Sequence, residues 1–149
     1  TNILYQNIAD ENKEYLLLDY PDIPTLAHLT QLFPLLECKI REIGELFGIS
    51  PIREDLNHFT KLKEPTNVLK KMIFDIYNET NSLESAADFM FIFFSMFAEN
   101  GLNIRNSCIH GQSYNKNQNE INLAFKVTLF CIHLIEYRLK MIQKNISSK

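Results

Sequence analysis

The chain has 149 residues, a length that fits one domain with a sizeable buried core. Hydrophobic residues make up 46% and charged residues 22%, as in an ordinary soluble globular protein, and four glycines are too few for an all-β fold with many tight turns. The formal net charge of -3 gives no global field for nucleic acid, so RNA or DNA binding must rest on a local cationic patch or on a partner.

The N-terminal part of the chain changes character at Pro24. Residues 1–23 mix polar and apolar side chains without a lasting period, which predicts an irregular or short helical lead-in. From Pro24 onward, apolar residues recur every three or four positions, the pattern of an amphipathic helix. We expect Pro34 to kink this helix or to divide it in two, and Gly48 to end it. The helical domain is therefore placed at residues 24–149.

The middle of the chain predicts a loop and two further helices. Residues 49–65 are polar and broken by prolines, so we interpret them as a loop. A shorter helix is predicted near residues 67–77. The stretch NSLE resembles a capping box in which Asn81 caps a helix and Glu84 bonds back. That helix, running to about Ala98, is apolar nearly all round and should be the most buried element, with its phenylalanines in the core.

The last part of the chain predicts a junction and a long helix. Gly101 is a typical helix stop, and the polar residues 112–119 predict a loop. A final amphipathic helix is predicted from about residue 120 to 142, with a basic end that suits the helix dipole. No internal repeat and no convincing pair of strands is visible. The sequence therefore predicts an all-α fold, a bundle of four or five helices.

The cysteines and the apolar runs indicate the cellular compartment in which the protein is expected. Cys38, Cys108 and Cys131 are odd in number and widely spaced, without a C-x-x-C pair, so we expect small buried side chains in a reducing cytosol. No signal peptide is visible. The longest apolar run, residues 89–98, is shorter than the roughly 20 residues that span a bilayer. We therefore expect a cytoplasmic protein that does not bind membranes.

The stretch NIRNSCIHG places a cation, an amide and a titratable imidazole close together: Arg105, Asn106 and His110. On an ideal helix a separation of five residues corresponds to about 140°, so Arg105 and His110 would not share a face, whereas Asn106 and His110 would. Arginine and histidine therefore converge within one chain only if the turn is irregular. Otherwise two copies of the motif must meet across a symmetric dimer.

The same stretch also has a purely structural interpretation. Gly101 would stop one helix, Asn103 would cap the next turn, and Gly111 would stop that turn. Arg105 would then be a solvated surface charge and His110 a histidine satisfied at a helix interface. Spacing alone leaves this junction hypothesis open beside the hypothesis of a reactive site.

The motif RNSCIHG resembles the R-x4-6-H signature of HEPN domains, in the form where Arg is followed by Asn and His by Gly. The preceding GLN, the polar loop after the motif and the long apolar helix also resemble the HEPN pattern. So does the segment LFPLLECKIREI, which is similar to the long first helix of several bacterial HEPN groups. The resemblance covers roughly residues 24–142.

The resemblance implies metal-independent RNA cleavage by a homodimer whose two motifs form one cleft, in toxin, anti-phage or RNA-processing systems. An antitoxin or another regulatory partner would restrain the activity. By position, Arg105 and His110 match the defining pair and Asn106 its usual polar companion, and Ser107, Cys108 and Ile109 are assigned no chemistry. The alternative is a catalytically inactive HEPN-like dimerisation or interaction module of a larger protein. The acidic balance favours the alternative, and the intact motif favours the nuclease.

These residue types suit cleavage of RNA by its own 2′-hydroxyl. An imidazole, with an ordinary pKa of about 6.5, can act as base or acid near neutrality. A guanidinium is always charged and can hold two phosphate oxygens. Asn106 can orient the imidazole or bond a phosphate oxygen. No cluster of Asp, Glu and His has ligand spacing, so we expect neither a metal nor another cofactor.

The remaining candidates are weaker. Three isolated histidines are expected to have core or surface roles: His28, His58 and His133. Four lysines form a modest basic cluster that could hold an RNA backbone, although a solvated face is the simpler interpretation: Lys61, Lys63, Lys70 and Lys71. Tyr114 and Lys116, in the loop after the motif, are better placed to bind an RNA substrate.

Overall fold

The structure, a computed structural model, describes residues 21–54, 60–109 and 117–148. Five α-helices occur in these ranges: α1 Leu26–Leu46, α2 Pro65–Thr80, α3 Ala87–Met96, α4 Ile104–Ile109 and α5 Gln118–Ser147. A 3₁₀ turn at Glu84–Ala86 precedes α3, and two short strands, β1 Ile52–Glu54 and β2 Thr60–Leu62, lie between α1 and α2. The prediction of an all-α bundle is confirmed. Most of the predicted lead-in lies outside the described residues.

Helix α1 begins and ends at recognisable signals. The Thr25 hydroxyl accepts a hydrogen bond from the His28 backbone N–H, and His28 Nδ1 accepts one from the Thr25 backbone N–H, which together satisfy two free donors of the first turn. Gly48 follows the helix with a φ of 79°, a left-handed conformation in which glycine carries no steric penalty. The predicted end at Gly48 is confirmed.

Pro34 lies inside α1 without dividing it. The helix is assigned continuously from Leu26 to Leu46, so the predicted division into two helices is wrong. Proline removes one backbone N–H and leaves one carbonyl of the preceding turn without its helical partner. Pro34 is on the exposed side of the helix, where water can satisfy that carbonyl, while its neighbours Leu32 and Phe33 are buried.

The core lies mainly between α1 and α5. The apolar stripe of α1 faces that of α5, and both stripes are almost fully buried: Leu29, Leu32, Leu36, Ile40 and Ile43 on α1, with Leu129, Ile132, Ile135 and Leu139 on α5. Lys39 also joins these helices, with its Nζ 2.6 Å from Glu136 Oε1. The periodicity that predicted these helices is thus the periodicity of the core.

Helices α2 and α3 complete the bundle through one close approach and one ion pair. A Cβ built on Gly44 of α1 would lie 2.5 Å from Val68 Cγ1, so the missing side chain lets α2 pack directly on α1. Arg138 of α5 donates from Nη2 to Asp88 Oδ1 of α3 at 2.9 Å, and its guanidinium lies 5.1 Å from the Phe89 ring centroid. These contacts fix both helices against the α1–α5 pair.

Two local predictions in this region are wrong. Asn81 does not begin a helix: it ends α2 in the left-handed conformation, with a φ of 52°, and α3 starts only after the 3₁₀ turn. Asparagine tolerates the left-handed region, so a residue that suits an N-cap also suits a C-cap. The predicted loop at residues 49–65 contains an antiparallel pairing, with Ile52 opposite Leu62 and Glu54 opposite Thr60.

Helix α3 is less buried than its sequence predicts. Phe89, Ile92 and Met96 are in the core, but Phe91 and Phe94 are exposed. A helix that packs on α2 and α5 can bury only the faces turned toward them, however apolar the remaining face is. The prediction that all phenylalanines of this run are core residues is therefore wrong, and an apolar surface remains on the outside of the bundle.

Candidate functional site

The motif helix α4 is held against the end of α3 by a tight connection. The Leu102 backbone N–H donates to Phe94 O at 3.0 Å, and a Cβ added to Gly101 would lie 2.0 Å from that same oxygen. Only glycine permits this approach, so Gly101 is a packing residue rather than the residue that stops α3, which ends at Met96. Asn103, with a φ of 50°, then turns the chain into α4.

Arg105 is anchored across the bundle. Its Nε donates to Glu37 Oε1 of α1 at 2.8 Å, and the two side chains are only 24% and 16% exposed. Its Nη1 donates to Asn106 Oδ1 at 3.1 Å. Two of the three guanidinium nitrogens are therefore engaged, and none of the described residues accepts a hydrogen bond from the third, Nη2.

Asn106 connects this arginine to the preceding helix. Its Oδ1 accepts from Arg105 Nη1, and its Nδ2 donates to the backbone oxygen of Phe97 at 3.1 Å. Both ends of the amide are thus engaged, and the side chain positions the guanidinium. The sequence suggested contact with the imidazole or with a phosphate, and contact with Arg105 was not foreseen.

The other predicted site residues lie outside the described residues. These are His110, Tyr114 and Lys116, together with His58 of the isolated histidines. Helix α4 ends at Ile109, immediately before the motif histidine. The structure therefore brings Arg105 and Asn106 together, and the convergence of Arg105 with His110 stays a prediction. One part of the junction hypothesis is wrong, because Arg105 is not a solvated surface charge.

Cys108 lies inside the motif but is unsuited to nucleophilic chemistry. The side chain is half-buried on α4, and burial raises the pKa of its thiol to about 11. A thiolate is the nucleophilic form, and almost none is present near neutral pH when the pKa is so high. This agrees with the interpretation that the position carries no chemistry.

The histidines that the structure describes have structural roles. His28 takes part in the capping interaction with Thr25. His133 is fully buried on α5, and no described residue donates to or accepts from either ring nitrogen. Burial, and secondarily the charge of Lys140, lowers the pKa of His133 to about 4. His133 is therefore neutral at physiological pH, and the prediction of core or surface roles is confirmed for these two residues.

Glu37 is the site residue that sequence reasoning missed. It lies in the segment LFPLLECKIREI, which supported the resemblance, but nothing in the spacing pointed from Glu37 to Arg105, 68 residues later. An acid on a mostly apolar helix is the only sequence signal. The contribution of the Phe97 carbonyl has no sequence signal at all, since every residue carries one.

Residues 21–54, 60–109 and 117–148 contain neither a cluster of potential metal ligands nor a membrane-spanning helix. No group of three or more His, Cys, Asp or Glu side chains is gathered there in a way that could hold a metal ion. None of the helices in those ranges is long and apolar enough to cross a membrane. Comparisons of the chain with protein-family models, with curated proteins and with solved structures give no match.

Proposed function

We propose that the chain is a metal-independent endoribonuclease domain of HEPN type, with Arg105, Asn106 and His110 as its site. The proposal starts from the resemblance of RNSCIHG to the HEPN signature. The observation that supports it most is the anchoring of Arg105 by Glu37 and Asn106, which leaves Nη2 with no acceptor in the described ranges. A fixed guanidinium with spare donors is suited to bind phosphate oxygens as charge develops on them.

In the proposed reaction the 2′-hydroxyl of RNA attacks the adjacent phosphorus. An imidazole of His110 takes the 2′-hydroxyl proton, the P–O5′ bond breaks, and a second imidazole in its protonated form gives a proton to the departing 5′-oxygen. The products are a 2′,3′-cyclic phosphate and a 5′-hydroxyl. Arg105 stabilises the negative charge of the crowded phosphorane, and Asn106 holds Arg105 in place.

A homodimer supplies the second imidazole. Because Arg105 and His110 are separated by about 140° on an ideal helix, one helix does not direct both side chains to one substrate. Two motifs related by a two-fold axis would form a composite cleft with two arginines and two histidines. Tyr114 and Lys116 would bind RNA beside it. A toxin or anti-phage setting, with an antitoxin or other regulatory partner, follows from the family resemblance alone.

The second candidate function is an inactive HEPN-like dimerisation or interaction module. The ion pair between Arg105 and Glu37 also favours this second function. Glu37 neutralises the charge of Arg105, and the arginine then serves to link α4 to α1. In that case the motif would be kept for packing, and loss of Arg105 would affect stability rather than cleavage.

The test is incubation of the purified chain with single-stranded RNA in EDTA. Wild type is compared with His110→Ala, Arg105→Lys and, as a matched control inside the motif, Ser107→Ala. We expect cleavage by wild type and by Ser107→Ala at similar rates, and a loss of at least about 100-fold for His110→Ala. Wild-type protein that leaves RNA intact would favour the inactive module, and cleavage that needs added metal would contradict the mechanism.

A further inference from the structure

Asn100 and Gly101 form the only Asn-Gly pair in the sequence, and they lie in the connection between α3 and α4. Both residues are exposed. Among the described residues, none forms a hydrogen bond with the Asn100 side chain. Its amide carbon is therefore free to approach the main chain that follows it, and Gly101 has no side chain to hinder that approach.

An asparagine in this setting has a reaction available that uses only water. The Gly101 backbone nitrogen loses its proton to hydroxide and attacks Cγ of Asn100. The bond between Cγ and the side-chain nitrogen breaks, that nitrogen takes a proton from water and leaves as ammonia, and a cyclic imide remains. Water then opens the ring at either carbonyl. One opening gives aspartate, and the other gives isoaspartate, in which the main chain runs through the former side chain.

One hydrogen bond controls access to the attacking nitrogen. The Gly101 N–H donates to Ala98 O at 3.0 Å and closes a turn through Glu99 and Asn100, both of which are exposed. A nitrogen held in this bond keeps its proton, so the attack proceeds while the bond is open. Exposed turns of this kind open at little cost in free energy, far less than the core helices. The turn therefore slows the reaction without preventing it.

Two other asparagines of the chain precede a small residue and serve as internal comparisons. Asn81 is exposed, but the next residue is Ser82, whose side chain hinders the attack on Cγ. Asn106 precedes Ser107 within α4, and both ends of its amide are engaged in hydrogen bonds. Asn100 combines an exposed amide, a following glycine and a position outside a helix, so it should react before either of them.

We propose that Asn100 is a site of spontaneous modification, and that its conversion to isoaspartate releases α4 from the end of α3. Isoaspartate adds one carbon atom to the main chain directly before Gly101. The chain at Gly101 is already so close to Phe94 O that a Cβ would lie 2.0 Å from it, and the Leu102 N–H donates to the same oxygen. A longer main chain disturbs this fit, so Arg105 on α4 loses its fixed position. The inference does not depend on RNA cleavage.

The first measurement locates the modification. The folded chain is incubated for days at several pH values and digested with pepsin in acid, where the reaction stops, and mass spectrometry finds each amide that has become a carboxylate. An isoaspartyl methyltransferase with labelled methyl donor then distinguishes isoaspartate from aspartate. We expect conversion at Asn100 ahead of Asn81 and Asn106, at a rate that rises about tenfold for each unit of pH, as the deprotonated fraction of the amide nitrogen does. Denaturant should accelerate it, because the turn then stays open.

The second measurement compares the thermal unfolding of fresh and aged protein. Asn100→Gln is the control for ageing, because glutamine must close a larger ring, and freshly made Asn100→Asp supplies the new charge without the extra carbon. Aged wild type should unfold at a lower temperature than fresh wild type, and both controls should unfold like fresh wild type. An Asn100 amide that persists at every pH would overturn the inference, as would aged protein that contains isoaspartate and unfolds like fresh protein. Neither result involves RNA, so the proposed reaction is tested separately.

Discussion

Arg105 and Glu37 form an ion pair, with Nε and Oε1 2.8 Å apart, that joins the short motif helix α4 to the first helix of the bundle. The two side chains come from positions 68 residues apart and are mostly buried. The orientation of the motif arginine is therefore determined by α1 as much as by α4. A substitution at Glu37 should therefore alter the position of Arg105, although Glu37 itself is not expected to contact a substrate.

Glu37→Gln keeps the shape of the side chain and removes its charge. We expect this variant to lower the free energy of unfolding by about 1–3 kcal/mol, because a partly buried guanidinium loses its charged acceptor. Glu42→Gln on the same helix is the control, since the Glu42 side chain is 47% exposed and its pair with Lys39 is accessible to solvent. Urea unfolding measures both, and equal effects of the two substitutions would contradict the anchoring role.

His133 should make the protein less stable in acid. Its folded pKa of about 4 lies below the ordinary value of 6.5, so the unfolded chain binds the proton more tightly. Above pH 6.5 the imidazole is neutral in both the folded and the unfolded protein, so it does not change the free energy of unfolding. Stability is lost progressively as pH falls from about 6.5 to about 4, by up to roughly 3 kcal/mol. His133→Leu should flatten this part of the pH profile and leave the remaining carboxylate titrations in place.

The measurement for His133 is the difference in unfolding free energy between wild type and His133→Leu, followed from pH 7.5 to pH 4 by denaturant titration. We expect a difference that grows steadily below about pH 6.5. Parallel profiles would contradict this prediction, because they would mean that His133 binds its proton equally tightly in the folded and the unfolded protein.

Gly101→Ala should be much more damaging than an ordinary glycine replacement. The new methyl group would lie 2.0 Å from the Phe94 carbonyl oxygen, so the connection between α3 and α4 must move. We expect a loss of more than about 3 kcal/mol. Gly48→Ala is the control: its φ is 79° but nothing lies within 4 Å of the added methyl, so only about 1 kcal/mol of backbone strain is expected. Thermal unfolding of both variants distinguishes them.

The products of RNA cleavage should end in a 2′,3′-cyclic phosphate, and an all-deoxy oligonucleotide should remain intact. The substrate's own 2′-hydroxyl is already tethered beside the phosphorus, which makes it the most accessible nucleophile, and DNA lacks it. Mass spectrometry of a short cleaved RNA identifies the ends. Fragments with a 3′-hydroxyl and a 5′-phosphate would contradict this mechanism.

The three thiols should react with a disulfide reagent at very different rates. Cys38 is exposed, contrary to the expectation that every cysteine is buried, and should react first. Cys108 is half-buried with a pKa of about 11 and should react slowly, at a rate that rises with pH. Cys131 is buried and should react only on unfolding. Single cysteine-to-serine variants assign each phase, and rapid labelling of all three would contradict this order.

The helices could be predicted because the apolar residues that recur every three or four positions in the sequence are the residues buried in the core. Leu29, Leu36 and Ile43 mark the buried side of α1 in the sequence as clearly as in the structure. The sequence could not predict whether Asn81 begins or ends a helix, because its side chain suits both positions. Which of the two it occupies depends on how the neighbouring helices pack. The exposure of Phe94 could not be predicted either, since composition alone does not tell which faces of an apolar helix pack against other helices.

The candidate site could be predicted in part. The sequence placed Arg105 and Asn106 in a turn between the apolar third helix and the last one, and in the structure they lie on α4 in contact with each other. The sequence did not reveal that Glu37 binds Arg105, because that contact depends on how α1 and α4 meet in three dimensions. Nor does a linear motif say which face of the bundle a second copy would cover.

Among the helices that the structure describes, α1 and α5 share the largest interface, although they lie far apart in the chain. During synthesis the apolar stripe of α1 leaves the ribosome long before its main partner exists, and it stays exposed until α5 has been made. We expect nascent chains that lack α5 to bind chaperones through this stripe and to remain protease-sensitive. Folding in the cell should therefore be a late event, governed by long-range closure of the chain rather than by growth from its first helix.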